Sequence, residues 1–273
     1  MAGEATRRFA ELVARPDEDV PLDEAALLIA AHGEPGLDVD RQLGRLDQLA
    51  ATCPAPTLDA LVRHLFDDLG FRGNTENYGE PENSYLHAVM DRRTGIPITL
   101  SVLTTEVGRR LGVALAGVGM PGHFLVRHLG DPPVFLDPFG GGRRLDEAGC
   151  EAIFRRLGGT GPWQPHYLDP VGPRAILNRM LVNLQGLFLP GRLRPAAWVL
   201  ELRVAIPGLL APERRGLARA LGSLGRFDAA AAVLDRLAES LPSAEGGELR
   251  AELQQCSRAV EGAVQCDGAG PTL

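Results

Sequence analysis

The sequence predicts an α+β chain in which a helical N-terminal region packs on a small antiparallel sheet and an all-α helical repeat domain follows. Three observations predict it. Apolar residues recur at helical spacing up to Gly70, and the period falls to two after Gly112. In the last part of the chain an offset of 34 residues places Gly191 on Gly225, Ala196 on Ala230 and Leu200 on Leu234. With 273 residues and 45% apolar content, the chain is long enough to bury a core without staples.

In the helical region Leu22, Ala25, Ala26, Leu28 and Ile29 form one apolar stripe that stops at Gly33. Leu43, Leu46 and Leu49 form a second before Pro54. Leu58, Leu61, Val62, Leu65 and Phe66 form a third, with Thr57 as N-cap and Gly70 as the stop. Residues 71–83, FRGNTENYGEPEN, break this pattern and read as a loop rich in side-chain amides, either functional or a solvated connector. A helix from Ser84 to Arg93 leads to Gly95-Ile96-Pro97, and an amphipathic helix beginning there ends at Gly112.

VALAGVGM, HFLVRHL and PVFLDPF then read as strands joined by tight turns, with His123, Leu125 and Arg127 on one face of the middle strand. Gly140-Gly141-Gly142 closes the sheet and LDEAGCEAIFRRLG returns to helix. The expected organisation is a sheet-containing domain over 1–160, a proline-rich linker over 161–173, helical repeats over 174–264 with a capping helix from Glu248, and a disordered tail over 265–273.

Composition excludes several chemistries. All 28 basic residues are arginine, so the chain offers no lysine for a pyridoxal Schiff base, a Walker A loop or a general base. A net charge of −7 argues against binding a nucleic-acid backbone. The first residues lack an apolar run, so neither a signal peptide nor a membrane span is expected, and the chain reads as cytoplasmic. Cys53, Cys150, Cys256 and Cys266 have no metal-ligand spacing and read as reduced structural thiols. His123 and His128 fall on opposite strand faces, and no metal site or cofactor is expected. The arginine pairs along the chain read as solvated helix faces.

The densest chemical candidate is His123 with Asp137. A carboxylate beside a histidine orients the imidazole and favours its protonated form, the base-and-orienter half of a triad, although a structural histidine and a turn-capping aspartate would have the same spacing. At the start of the helix after Gly95 the available hydroxyls are Thr99 and Ser101, each a nucleophile only if His123 lies within reach. Asn74, Tyr78 and Asn83 of the amide-rich loop, and Arg93 beside it, are the candidate ligand-binding residues; a guanidinium fork suits an anion or carboxylate.

These residues resemble a known family. The stretch FRGNTENYGEPENSYLHAVMDRRTGIPITLSVLTTEVGRRLG, followed by GVGMPGHFLVRH and FLDPFGGGRRL, is similar to the SirB-type proteins, in which a transglutaminase-like core precedes tetratricopeptide repeats. In the repeat region Leu217, Gly225, Ala230, Leu234 and Pro242 match that repeat's pattern better than the preceding unit does. The resemblance implies a Cys-His-Asp triad, with His123 and Asp137 at the histidine and aspartate positions. Its cysteine position falls at Pro97, with Thr99 close by, and neither is a thiol. The resemblance also implies a bacterial regulatory role, and a related region occurs in a eukaryotic F-box protein.

Three readings follow. In the first, a non-catalytic transglutaminase-like protein binds a ligand or peptide in the former active-site cleft and a protein partner through its repeats. The second is a cysteine-free hydrolase or acyl transferase using Ser101 or Thr99 with His123 and Asp137. The third is a scaffold in which His123 is structural. They differ in whether His123, Asp137, Asn74, Asn83 and Arg93 converge on one surface.

Overall fold

Alanine and leucine at helical spacing build the first layer. In the computed structural model, which describes residues 2–188 and 193–240, α1 (Ala2–Val13), α2 (Leu22–Gly33) and α3 (Val39–Ala51) succeed one another, and Ala25 through Ala30 of α2 are all buried. Asp38 caps α3 by accepting the Arg41 N–H at 2.9 Å. Thr57 caps α4 (Leu58–Val62) by accepting the Ala60 N–H at 3.2 Å, and the same helix continues as a π turn over Arg63–Asp68.

A two-residue strand, β1 (Arg72–Gly73), then pairs in parallel with β2 (Thr94–Gly95). Between them lie a 3-10 turn at Pro81–Ser84 and α5 (Leu86–Arg92), so the regular helix expected from Ser84 begins at Leu86. Gly95 leads directly into α6 (Pro97–Leu111), which starts on proline, where a missing N–H costs nothing, and ends on Gly112 at φ +73°.

Five strands form the antiparallel sheet: β3 (Leu115–Val118), β4 (Leu125–His128), β5 (Val134–Asp137), β6 (Arg143–Leu145) and β7 (Pro170–Val171), in the order β6-β5-β4-β3-β7. Alternation along the strands separates two faces. Val118, Leu125 and Phe135 cluster with Cys150, Ile153 and Phe154 of α7 (Glu147–Arg156). On the other face Leu115 meets α6 so closely that a Cβ added at Gly108 would lie 2.5 Å from its side chain.

Strand pairing corrects three expectations. The middle strand begins at Leu125, and His123 sits in the turn before it, its N–H donating to Met120 O at 3.1 Å. The glycine run does not close the sheet, because the chain turns back after it and β6 pairs with β5. The stretch expected as a linker is held to the first domain: Pro170–Val171 pairs with β3 as an edge strand, and α8 (Pro173–Phe188) follows at once. Two compact units divide at Leu187 and Phe188 instead.

In the second unit α9 (Leu193–Ala205), α10 (Ala211–Ser223) and α11 (Phe227–Ser240) bury Leu200, Leu217, Leu221, Ala230 and Leu234 in one cluster. Gly225, at φ +74°, makes the turn between α10 and α11. Gly191, Pro242, the expected capping helix, Cys256, Cys266 and the tail lie outside the described residues.

Candidate functional site

The hairpin of β4 and β5 brings His123 to Asp137. Nε2 of His123 lies 2.9 Å from Oδ1 of Asp137, and both are buried, at 7% and 2% exposure. The same carboxylate oxygen accepts the Gly140 N–H at 3.1 Å, while Oδ2 lies 3.5 Å from the Arg143 guanidinium. Glycine is required at 140, since a Cβ there would stand 2.5 Å from Oδ2. Burial pushes the Asp137 carboxyl up, but the His123 hydrogen bond and charge, the Gly140 N–H and Arg143 together hold it below the ordinary value. With Nε2 occupied by the carboxylate, Nδ1 is the ring nitrogen that would face a reacting group.

Phe139 connects this pair to the amide-rich loop. Its ring stands edge-on to His123 at 6.1 Å between centroids and edge-on to Tyr78 at 6.0 Å. Its carbonyl accepts the Gly73 N–H at 3.1 Å, and a Cβ at Gly73 would lie 2.5 Å from the Phe139 ring. Because Gly73 pairs with Gly95, this contact also leads to the start of α6. Tyr78, 53% exposed, is the outer member of the ring series.

The loop is braced by its own amides. Asn74 Nδ2 donates to Asn83 Oδ1 at 3.0 Å, and Asn74 Oδ1 accepts the Asn77 N–H at 2.9 Å. Asn83 Nδ2 donates to the carbonyls of Asn77 and Tyr78. Asn74 and Asn83 are both buried, and these hydrogen bonds shape the loop from within.

Neither hydroxyl at the start of α6 is prepared as a nucleophile. Ser101 Oγ donates to Pro97 O at 2.8 Å, one helical turn back. Thr99 is 0% exposed, and its Oγ1 has no hydrogen-bond partner among the described residues. Of the described thiols, Cys53 donates to the Ala55 carbonyl, and Cys150 is buried in α7, where burial first and then Asp146, Asp137 and Glu147 push its thiol up to about 12.

Arg93 does not join this group. It caps α5 in the left-handed region at φ 56°, and its side chain lines a separate cavity between α3 and α5. His123, Asp137 and Tyr78 are thus linked through Phe139, and Arg93 lies at a separate cavity. Sequence reasoning missed Phe139, which makes the connection; its signal was a large aromatic between Asp137-Pro138 and three glycines, where the backbone can fold tightly around a ring. Among the described residues no helix is long and apolar enough to cross a membrane, and no group of three His, Cys, Asp or Glu side chains could hold a metal ion.

Residues 37–182, more than half of the chain, match the family model described as the transglutaminase-like superfamily. A UPF0162 protein of Xylella fastidiosa is 41% identical over a match that covers 63% of this chain and 66% of that protein, just under two thirds of its length. F-box only protein 21 of mouse is 37% identical over 48% of this chain and 21% of its own. The crystal structure of menin aligns over 86% of this chain and 66% of its own with a TM-score of 0.44 and 10% identity, too distant to bear on function.

Proposed function

Since the chain belongs to the transglutaminase-like superfamily, we propose that it is a member without the covalent step, a protein-interaction module of SirB type. On this reading a peptide or small ligand engages the mouth of the former active-site cleft at Tyr78, and a protein partner engages tetratricopeptide-like repeats in the second unit. A regulatory role in the cytoplasm of a bacterium belongs to the same proposal.

The observation that carries it is the state of α6 at its start. His123 and Asp137 form the base-and-orienter pair at 2.9 Å, but the Ser101 hydroxyl is spent on Pro97 O and the Thr99 hydroxyl is fully buried. A histidine base with no accessible nucleophile does not start acyl transfer. Support for the repeats comes from Leu200 and Leu234, which the 34-residue offset aligns, and from Leu217 and Ala230, which match the repeat's pattern; all four share one buried cluster.

A second reading rests on the unpartnered Thr99 hydroxyl. Buried hydroxyls ordinarily find a partner, and on this reading the Thr99 hydroxyl finds one in His123 during turnover. One assay separates the two. The full chain is incubated with activated acyl esters and glutamine-containing peptides, with amine and water as acceptors, alongside Thr99→Val and His123→Ala. The interaction reading expects no turnover above buffer for all three proteins. Turnover by the wild type that both substitutions abolish would replace it with the hydrolase reading.

A further inference from the structure

The second half of α3 and the end of α5 border a half-open cavity of about 280 Å³ that the His123 site does not use. Phe71 and Met90, both buried, line its interior together with Leu49 and Leu69, and Arg45 and Arg93 bring guanidinium groups to it. The two cations are not equivalent. Arg45 is bonded to Asp91 at 2.7 Å and to Gln42 Oε1 at 2.9 Å, so its charge is already matched. The Arg93 side chain makes no ion pair or hydrogen bond among the described residues.

Arg93 is also the only described non-glycine residue at positive φ. Its N–H donates to Val89 O at 2.8 Å and its carbonyl accepts the Arg72 N–H at 2.9 Å, so the backbone is held from both sides in a conformation that glycine or asparagine adopts more readily. An exposed, unmatched guanidinium beside the apolar wall formed by Leu49, Leu69, Phe71 and Met90, with Gln48 and Thr52 on the polar side, is the complement of a molecule with an anionic head and an apolar body. The volume lies at the lower end of ligand pockets, about 300 Å³, which restricts that molecule to a small one.

The geometry points to a second binding site here, for a small carboxylate with a short apolar chain, its head on Arg93 and its chain against Phe71 and Met90. The site stands apart from the cleft and does not depend on the reading of the cleft.

Titration of the full chain with hexanoate and with hexanol, which has the same chain and no charge, tests it. Hexanoate is expected to bind saturably and about tenfold or more tighter than hexanol. Arg93→Asn, which tolerates the left-handed backbone, is expected to bring hexanoate down to the hexanol level. Arg93→Gly carries the comparison if the asparagine variant does not fold. Equal binding of hexanoate and hexanol, undiminished hexanoate binding by the Arg93 variant, or no saturable binding to folded wild type would each overturn the site. Inorganic phosphate competing as well as hexanoate would overturn the requirement for an apolar chain.

Discussion

Asp137 holds His123 through the oxygen that also accepts the Gly140 N–H, at 2.9 and 3.1 Å, so one carboxylate oxygen joins the turn before β4 to the turn after β5. The pair is therefore a brace of the sheet. Asp137→Asn keeps the shape and removes the charge behind these bonds. It is expected to cost about 1–3 kcal/mol, read from urea unfolding of the wild type and the variant. A variant as stable as the wild type would show that the carboxylate does not brace the turns.

The same pair sets a pH dependence. Asp137 titrates below its ordinary value of 3.8 in the folded chain, so its contribution to stability is complete above that value and is lost as pH falls through the lower folded value. Asp23, also held low once the Arg110 hydrogen bond and its other partners outweigh burial, loses stability in the same window, and only the difference between proteins isolates Asp137. The stability gap between wild type and Asp137→Asn is expected to shrink as pH falls below 3.8. A gap that persists at the lowest pH would assign it to shape and not to charge.

Gly73 is where the loop meets the site. An alanine there would put its Cβ 2.5 Å from the Phe139 ring, and the ring is fixed between Tyr78 and His123. Gly73→Ala is expected to destabilise the chain by about 1–3 kcal/mol and to shift the NMR signals of His123 and Tyr78 together. If the histidine signals stay in place, Phe139 does not couple the two.

The described thiols should differ in reactivity. With its thiol pushed up to about 12, Cys150 carries roughly one part in ten thousand of thiolate at pH 8, and its side chain is buried. Iodoacetamide on the native chain, mapped by mass spectrometry, is expected to label the half-buried Cys53 and to spare Cys150 until urea is added. Rapid native labelling of Cys150 would return a nucleophilic thiol to consideration.

Local pattern carried much of the fold. The apolar stripes of α2, α3 and α4 are legible because a 3.6-residue period puts the same residues on one side whatever they pack against, and Thr57 and Gly112 act on their own turns. The pairing of His123 with Asp137 is nearly as local, since the two are joined by a single hairpin. Short strands were harder: β1, β2, β6 and β7 have two or three residues each, too few to show alternation, and they form because a partner strand takes up their backbone groups.

By itself the sequence set a histidine and an aspartate one hairpin apart, with no thiol at the position the family resemblance implies, and showed that the chain passes from helices to a sheet and back to helices. Tertiary structure alone decided what those residues can do. It buried Thr99, turned Ser101 back onto Pro97, placed Phe139 between His123 and Tyr78, and set Arg93 in a different cavity. The physical reason is that reactivity and recognition depend on exposure and on contacts between distant segments, as between Gly73 and Phe139, which no period along the chain encodes.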